Sequence, residues 1–257
     1  MVATAINPAR TSTGYFYVWM AAACVAVAFG GFAGTYWLQL PAGTFVGAPI
    51  VHLHGLLFSA WTLLLLSQTW LAANGRLDHH RAWGLAAISL ATAMVFVGLA
   101  TAINSAKVGA AGGHEAAAKA FMIVPVSAII LFAGLIAAAI ANINRPDWHK
   151  RLMLVATIGI LQAAMARVFF LVITGGGPGL RPGLGAPQPV AITVGPGLVV
   201  DLLIVAGIAY DWRTRGKPHP AYLIAGGLTL LLQLARMPLS VTPAWQAFAG
   251  QLMAFGQ

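Results

Sequence analysis

Three charged residues fall inside long apolar runs of this sequence: Arg167, Asp201 and Arg236. A charge in hydrocarbon costs about 2.5–3.5 kcal/mol or more unless it is paired or hydrated. Their chemistry is therefore either mutual pairing or the shaping of a polar site. Arg167 and Asp201 are the candidate catalytic residues; Asp201 can pair with either arginine, and Arg167 is the expected partner. Arg236, Gln162 and Gln233 are candidate cofactor- or ligand-binding residues, and Asn104 and Tyr36 could line the same space. His52 and His54 follow Pro49 and are candidate metal ligands, since neutral imidazole binds copper, iron and zinc. Residues two apart on a regular helix point about 200° from each other. The two could thus share one metal only where the chain is still extended or just turning. His54, at seven-residue steps from Trp61 and Gln68, is expected to face inward.

The elements that hold these residues are membrane helices. Of 257 residues, 60% are hydrophobic and only 7% charged, against about 25% charged in a soluble domain. An uncharged run of about twenty residues crosses the ~30 Å hydrocarbon core as a helix. Seven such spans are expected: 16–38, 51–73, 82–104, 120–142, 151–174, 190–210 and 220–240. They form a single all-α domain over 1–257. Residues 243–255 carry Trp245, Phe248, Ala249 and Leu252 at helical spacing. That stretch suits a short interfacial helix and is too short for an eighth span. Gly30 and Gly34 make a GxxxG in the first span, a pattern that lets helices approach closely.

Spans two to seven form three hairpins with charged turns at Arg76–Arg81, Arg145–Arg151 and Asp211–Lys217. With the N-terminus inside, Arg10, Arg76, Arg81, Arg145, Lys150, Arg151, Arg213, Arg215 and Lys217 lie on the inner side. Only Lys107, Lys119 and Arg181 lie outside. This asymmetry follows the positive-inside rule and predicts a multi-pass inner-membrane protein. The formal charge of +9 is then explained by anionic lipid, and nucleic acid is not an expected partner. The first two turns repeat: Asp78-His79-His80-Arg81 aligns with Asp147-Trp148-His149-Lys150 at a constant offset of 69 residues. Either the hairpins are parallel repeats about an axis along the membrane normal, or short inner loops are simply basic. His79, His80, His149 and His219 cap helix ends or meet headgroups. Alternatively, His80 and His149 face each other as metal or haem ligands. A Gly/Pro-rich stretch over 175–189 reads as a long irregular outer loop. Cys24 is the single cysteine, so no internal disulfide can form, and Arg10 leads into a full-length span with no signal-peptide cleavage pattern.

The line DWHKRLMLVATIGILQAAMAR resembles a motif in a bacterial family of uncharacterised polytopic membrane proteins, with a His-Lys/Arg-Arg turn and an arginine in the next helix. His149, Lys150, Arg151 and Arg167 carry that likeness, and HHRAWG in the second turn looks like a related element. The resemblance implies a fold and no mechanism. Helix count and histidine use are also loosely similar to cytochrome b561-type reductases. Spans three to six, however, lack histidine within the hydrocarbon, so the ligands of a two-haem ladder are missing. HExxH, GxSxG and nucleotide-binding fingerprints are absent as well. Two function classes stand. One is a redox-type protein binding a metal ion (copper, iron or zinc) or haem b through His52 or His54. The other is a binding or transport protein for a small anionic solute, with Arg167 and Arg236 as receptors. In both, the lipid bilayer and a small-molecule ligand or substrate are the partners, and an oligomer is compatible with the sequence.

Overall fold

A computed structural model describes residues 8–174 and 186–255, with the side chains of 15–173 and 186–255. Residues 175–185 of the Gly/Pro loop, and the side chains of Arg10 and Arg181, lie outside these. Among the described residues the chain is helical and contains no strand. The helices are α1 Pro8–Phe32, α2 Pro49–Ala73, α3 Leu77–Ala111, α4 Glu115–Ala141, α5 Pro146–Ile160, α6 Gln162–Thr174, α7 Val194–Arg215, α8 Pro220–Ser240 and α9 Pro243–Ala254. A π-helical turn, Ala33–Trp37, extends α1, and a 3₁₀ turn, Val190–Thr193, leads into α7. Seven helical segments are long and apolar enough to cross a membrane, with α5 and α6 together making the fifth. The protein is an all-α polytopic bundle.

The charged turns are shorter than the sequence suggests, because most of their residues are helical. Asp78 to Arg81 lie in the first turns of α3, and Asp147 to Arg151 in those of α5. Pro146 at the first position of α5 has the φ a helix needs and no N–H to strand. Asp78 and Asp147, each in a first turn, complement the helix dipole there.

Neighbouring helices pack in sequence from α1 to α5, and α8 closes on α4, α5 and α7. The buried face of α5 includes Leu152, Leu154, Val155, Ala156, Thr157 and Ile158. Five consecutive buried positions leave no lipid-facing stripe, which marks α5 as a central helix. Its Thr157 hydroxyl accepts a hydrogen bond from Trp61 Nε1 of α2 at 3.0 Å, and the Trp61 ring meets Phe132 of α4 edge-on at 5.2 Å. The close helix approach is made by Gly31, not by Gly30. A Cβ at Gly31 would strike the Ala164 carbonyl of α6, and one at Gly34 would sit 3.1 Å from Leu171, whereas Gly30 faces open space.

Candidate functional site

Chain irregularities build the first polar cluster, in the half of the bundle away from the basic turns. Span five breaks at Leu161, where the Leu161 N–H turns back to Ile158 O at 3.0 Å and α6 restarts at Gln162. Pro125 lies inside α4 two residues before Ser127, and Pro238 inside α8 two residues after Arg236. Each proline removes an intrahelical hydrogen bond and perturbs the turn before it. The Arg236 side chain reaches into this region and is 2% exposed. Its Nε donates to Ser127 Oγ at 2.7 Å and its Nη1 to Gln162 Oε1 at 2.7 Å. The Gln162 amide donates onward to Thr193 O at 2.6 Å, tying α6 to the 3₁₀ turn. These bonds fix the orientation of the Gln162 carboxamide, since its oxygen must face the guanidinium.

Arg236 forms no direct ion pair among the described residues, and Asp201 acts on it only as a longer-range charge. A cavity of about 400 Å³ adjoins it, lined by Ser127 and otherwise mainly by apolar side chains, with Trp245 and Phe248 contributed by α9. Trp245 Nε1 donates to Lys119 O at 2.7 Å, which anchors that wall to the start of α4. Arg236 Nη2 makes no hydrogen bond among the described residues.

Asp201 is not the partner of Arg167. It is half-buried in α7 and accepts a hydrogen bond from Gln233 Nε2 at 3.3 Å. Gly197 makes room for that contact, as a Cβ there would fall 2.9 Å from the Gln233 carboxamide. Arg167 leaves α6 in another direction, its guanidinium 6.0 Å from the centroid of the Phe32 ring on α1. It makes no hydrogen bond or ion pair among the described residues. The expected pair fails because α6, restarting after the break, packs on α1 as well as on α7.

His52 and His54 diverge. His52 is exposed, and its Nδ1 lies 3.0 Å from Tyr36 Oη, with Phe45 packed edge-on at 4.9 Å. His54 stacks on Phe58 at 4.0 Å, and its buried Nδ1 has no partner. Pro49 starts a regular helix rather than delaying one, so the two side chains keep their angular separation. Asn104, on α3, forms no hydrogen bond with the Arg236 group. Among the described residues no group of three or more His, Cys, Asp or Glu side chains could hold a metal ion.

His80 and His149, by contrast, do meet, with ring centroids 6.4 Å apart and planes at 88°. His149 Nδ1 lies 2.9 Å from Ala139 O, which makes it the protonated nitrogen and leaves Nε2 with a lone pair. His80 Nδ1 is buried without a hydrogen bond.

A second cluster, at the basic end, was hidden in the sequence among loop charges. Arg151 and Asp211 are 3% and 0% exposed. Arg151 Nε donates to Asp211 Oδ2 at 2.8 Å, and Nη2 donates to Oδ1, a two-pronged contact. Its Nη1 donates to Asp147 O at 2.7 Å. His219 Nε2 donates to Asp147 Oδ2 at 2.9 Å, while its Nδ1 accepts the Ala221 N–H at 3.1 Å and caps α8. That tautomer is the neutral imidazole. Burial holds the His219 pKa below the ordinary 6.5, outweighing the opposite pull of Asp147. Gly216, with φ of +73°, turns the chain between α7 and α8 and makes this packing possible.

No protein-family model matches the chain, and no curated protein or solved structure is similar enough to it to count as a match.

Proposed function

We propose that the protein binds or transports a small amphiphilic anion, with Arg236 as its receptor. One observation carries this reading: a buried guanidinium, hydrogen-bonded to neutral groups only and in no direct ion pair, at the wall of an otherwise apolar cavity. A desolvated cation without a directly paired counter-ion costs several kcal/mol, which the longer-range charge of Asp201 lowers in part and an incoming carboxylate would offset further. The apolar lining suits a short hydrocarbon tail behind the acid group. The break in span five fits the same reading, because solute sites in membrane carriers are built around interrupted helices. The charge asymmetry of the turns supports an inner membrane with the basic end in the cytoplasm.

The test is a melting series in neutral detergent with octanoate and, as the uncharged control, octanol. Octanoate should raise the melting temperature of the parent and leave Arg236→Met unchanged, while octanol does nothing. Equal shifts with both compounds, or an undiminished octanoate shift in Arg236→Met, would remove Arg236 as receptor.

A second reading, a redox-type metal or haem protein, draws its support from His80 and His149 rather than from His52 and His54. A backbone carbonyl that fixes one imidazole nitrogen is a common way to orient a metal-ligating histidine. Copper, iron and zinc are the candidate ions. Metal analysis and a visible absorption spectrum of the purified protein decide it. Bound metal or haem should disappear in His80→Ala/His149→Ala and survive in His52→Ala/His54→Ala. A parent that purifies without either refutes this reading.

A further inference from the structure

At the basic end, a second cavity of about 210 Å³ opens beside the Arg151–Asp211 pair. Its charged lining is Lys150, Arg151 and Arg215 against Asp147 and Asp211, an excess of one positive charge. The acids are already engaged. Asp211 takes the Arg151 guanidinium and the His219 N–H, and Asp147 takes His219 Nε2. One of the cations is not. Lys150 is half-buried and lies over the Tyr17 ring at 4.6 Å, with no hydrogen bond or ion pair among the described residues. Arg215 is held only by a long ion pair to Asp211 at 3.9 Å, beyond hydrogen-bond distance. Tyr17 also lines the cavity and is only 6% exposed, its buried hydroxyl lying against that of Tyr222.

We propose that this cavity is a phosphate site, taking the phosphate of an anionic phospholipid headgroup or a free phosphate of the same chemistry. Lys150 and Arg215 supply the charge, beside the Tyr17 ring. The Arg151–Asp211 pair acts as a rigid floor that holds Tyr17 and keeps Arg151 from folding over the opening. Arg151 lies 6.0 Å from the centroid of the Tyr17 ring and 5.7 Å from that of Tyr222. The location suits a headgroup, since basic pockets between membrane helices on the cytoplasmic side are known receptors for acidic lipids. This site is separate from the Arg236 cavity, and neither proposal depends on the other.

The experiment is a thermal-shift titration of the full chain in neutral detergent, with phosphatidylglycerol, phosphatidylcholine and inorganic phosphate as probes. Two charge-matched variants accompany the parent. Lys150→Gln/Arg215→Gln removes lining cations. Arg213→Gln/Lys217→Gln removes exposed cations that do not line the cavity. Phosphatidylglycerol or phosphate should stabilise the parent and the second variant, and phosphatidylcholine neither. The first variant should need about tenfold more probe for the same shift, the loss expected from one charge-assisted hydrogen bond. Lys150→Gln alone should also weaken the response, which covers the case in which the double variant folds poorly. A response to phosphatidylglycerol alone identifies the lipid as source, and a response to phosphate alone a soluble ligand. The proposal is overturned if neither probe shifts the parent, or if both charge-matched variants lose the response equally. The latter would mean a diffuse basic surface.

Discussion

The two buried arginine clusters solve the same problem in opposite ways. At the basic end Arg151 meets a carboxylate, Asp211, in a two-pronged contact that leaves neither group free. In the other half Arg236 meets a serine hydroxyl and a glutamine amide, which orient the guanidinium without neutralising it. Asp201 is hydrogen-bonded to Gln233 and reaches Arg236 only as a longer-range charge. The difference separates a charge used to join helices from a charge that, on the function proposed above, is left available to a ligand. Burial alone does not distinguish them, because Arg151 and Arg236 are almost equally covered, at 3% and 2% exposure.

Substitution should make the contrast measurable, and the largest effect belongs to the closed pair. Asp211→Asn strands a buried guanidinium, and Arg151→Met strands a buried carboxylate, so each should cost about 3–5 kcal/mol of stability. The double change Arg151→Met/Asp211→Leu should recover most of that loss in a melting series. Strictly additive losses would show that the pair is not the unit that matters. Next comes Gln162→Leu, which leaves Arg236 Nη1 without its acceptor and removes the amide bond from α6 to Thr193 O. It should cost about 1.5–3 kcal/mol, the range for hydrogen bonds to charged groups. A smaller loss, near that of a surface change, would mean that water or another side chain replaces the amide.

Arg236→Met is the sharpest discriminator. It strands the neutral oxygens of Ser127 and Gln162 rather than a paired carboxylate, and relief of the buried charge offsets part of that loss, so the net cost should stay below about 1.5 kcal/mol, while its counterpart Arg151→Met is severely destabilised. Equal damage at both sites would erase the distinction between them. The smallest effect is electrostatic. Folded His219 resists protonation, whereas unfolded His219 takes up a proton near the ordinary 6.5. Its contribution is therefore fully present above that value and declines as the pH falls through it. His219→Asn keeps an acceptor for the Ala221 N–H and should flatten the stability curve between pH 5 and 7. An unchanged slope would move the pH dependence elsewhere.

The seven spans were legible because a membrane helix needs little more than a long uncharged run, and the bilayer imposes that length. Arg236, Gln162, Gln233 and Asp201 stood out for the same reason, as polar groups in apolar surroundings. Which of them touch was not legible, because the break at Leu161 redirects α6 and no local signal announces it. Arg151 and Asp211 were obscured by their position beside short basic turns, where charge is expected. A signal was nevertheless present. The buried stripe of α7 runs through Pro196, Val200, Ile204 and Gly207, and one more step of four reaches Asp211. Following that stripe to the end of the helix would have marked the aspartate as inward-facing.

The anchoring of α9 bears on how the protein can be handled. Its Trp245 and Phe248 form one side of the larger cavity, and a single indole bond to Lys119 O ties Trp245 to the start of α4. A chain cut after Thr242 would retain every membrane-crossing helix and should still insert and purify as a bundle. It would lack that wall, so its good behaviour on a gel would conceal the loss of one side of the cavity. A bulky tag joined directly after Gln257 carries a milder form of the same risk, and the N-terminal end, remote in sequence from that wall, is the safer place for one.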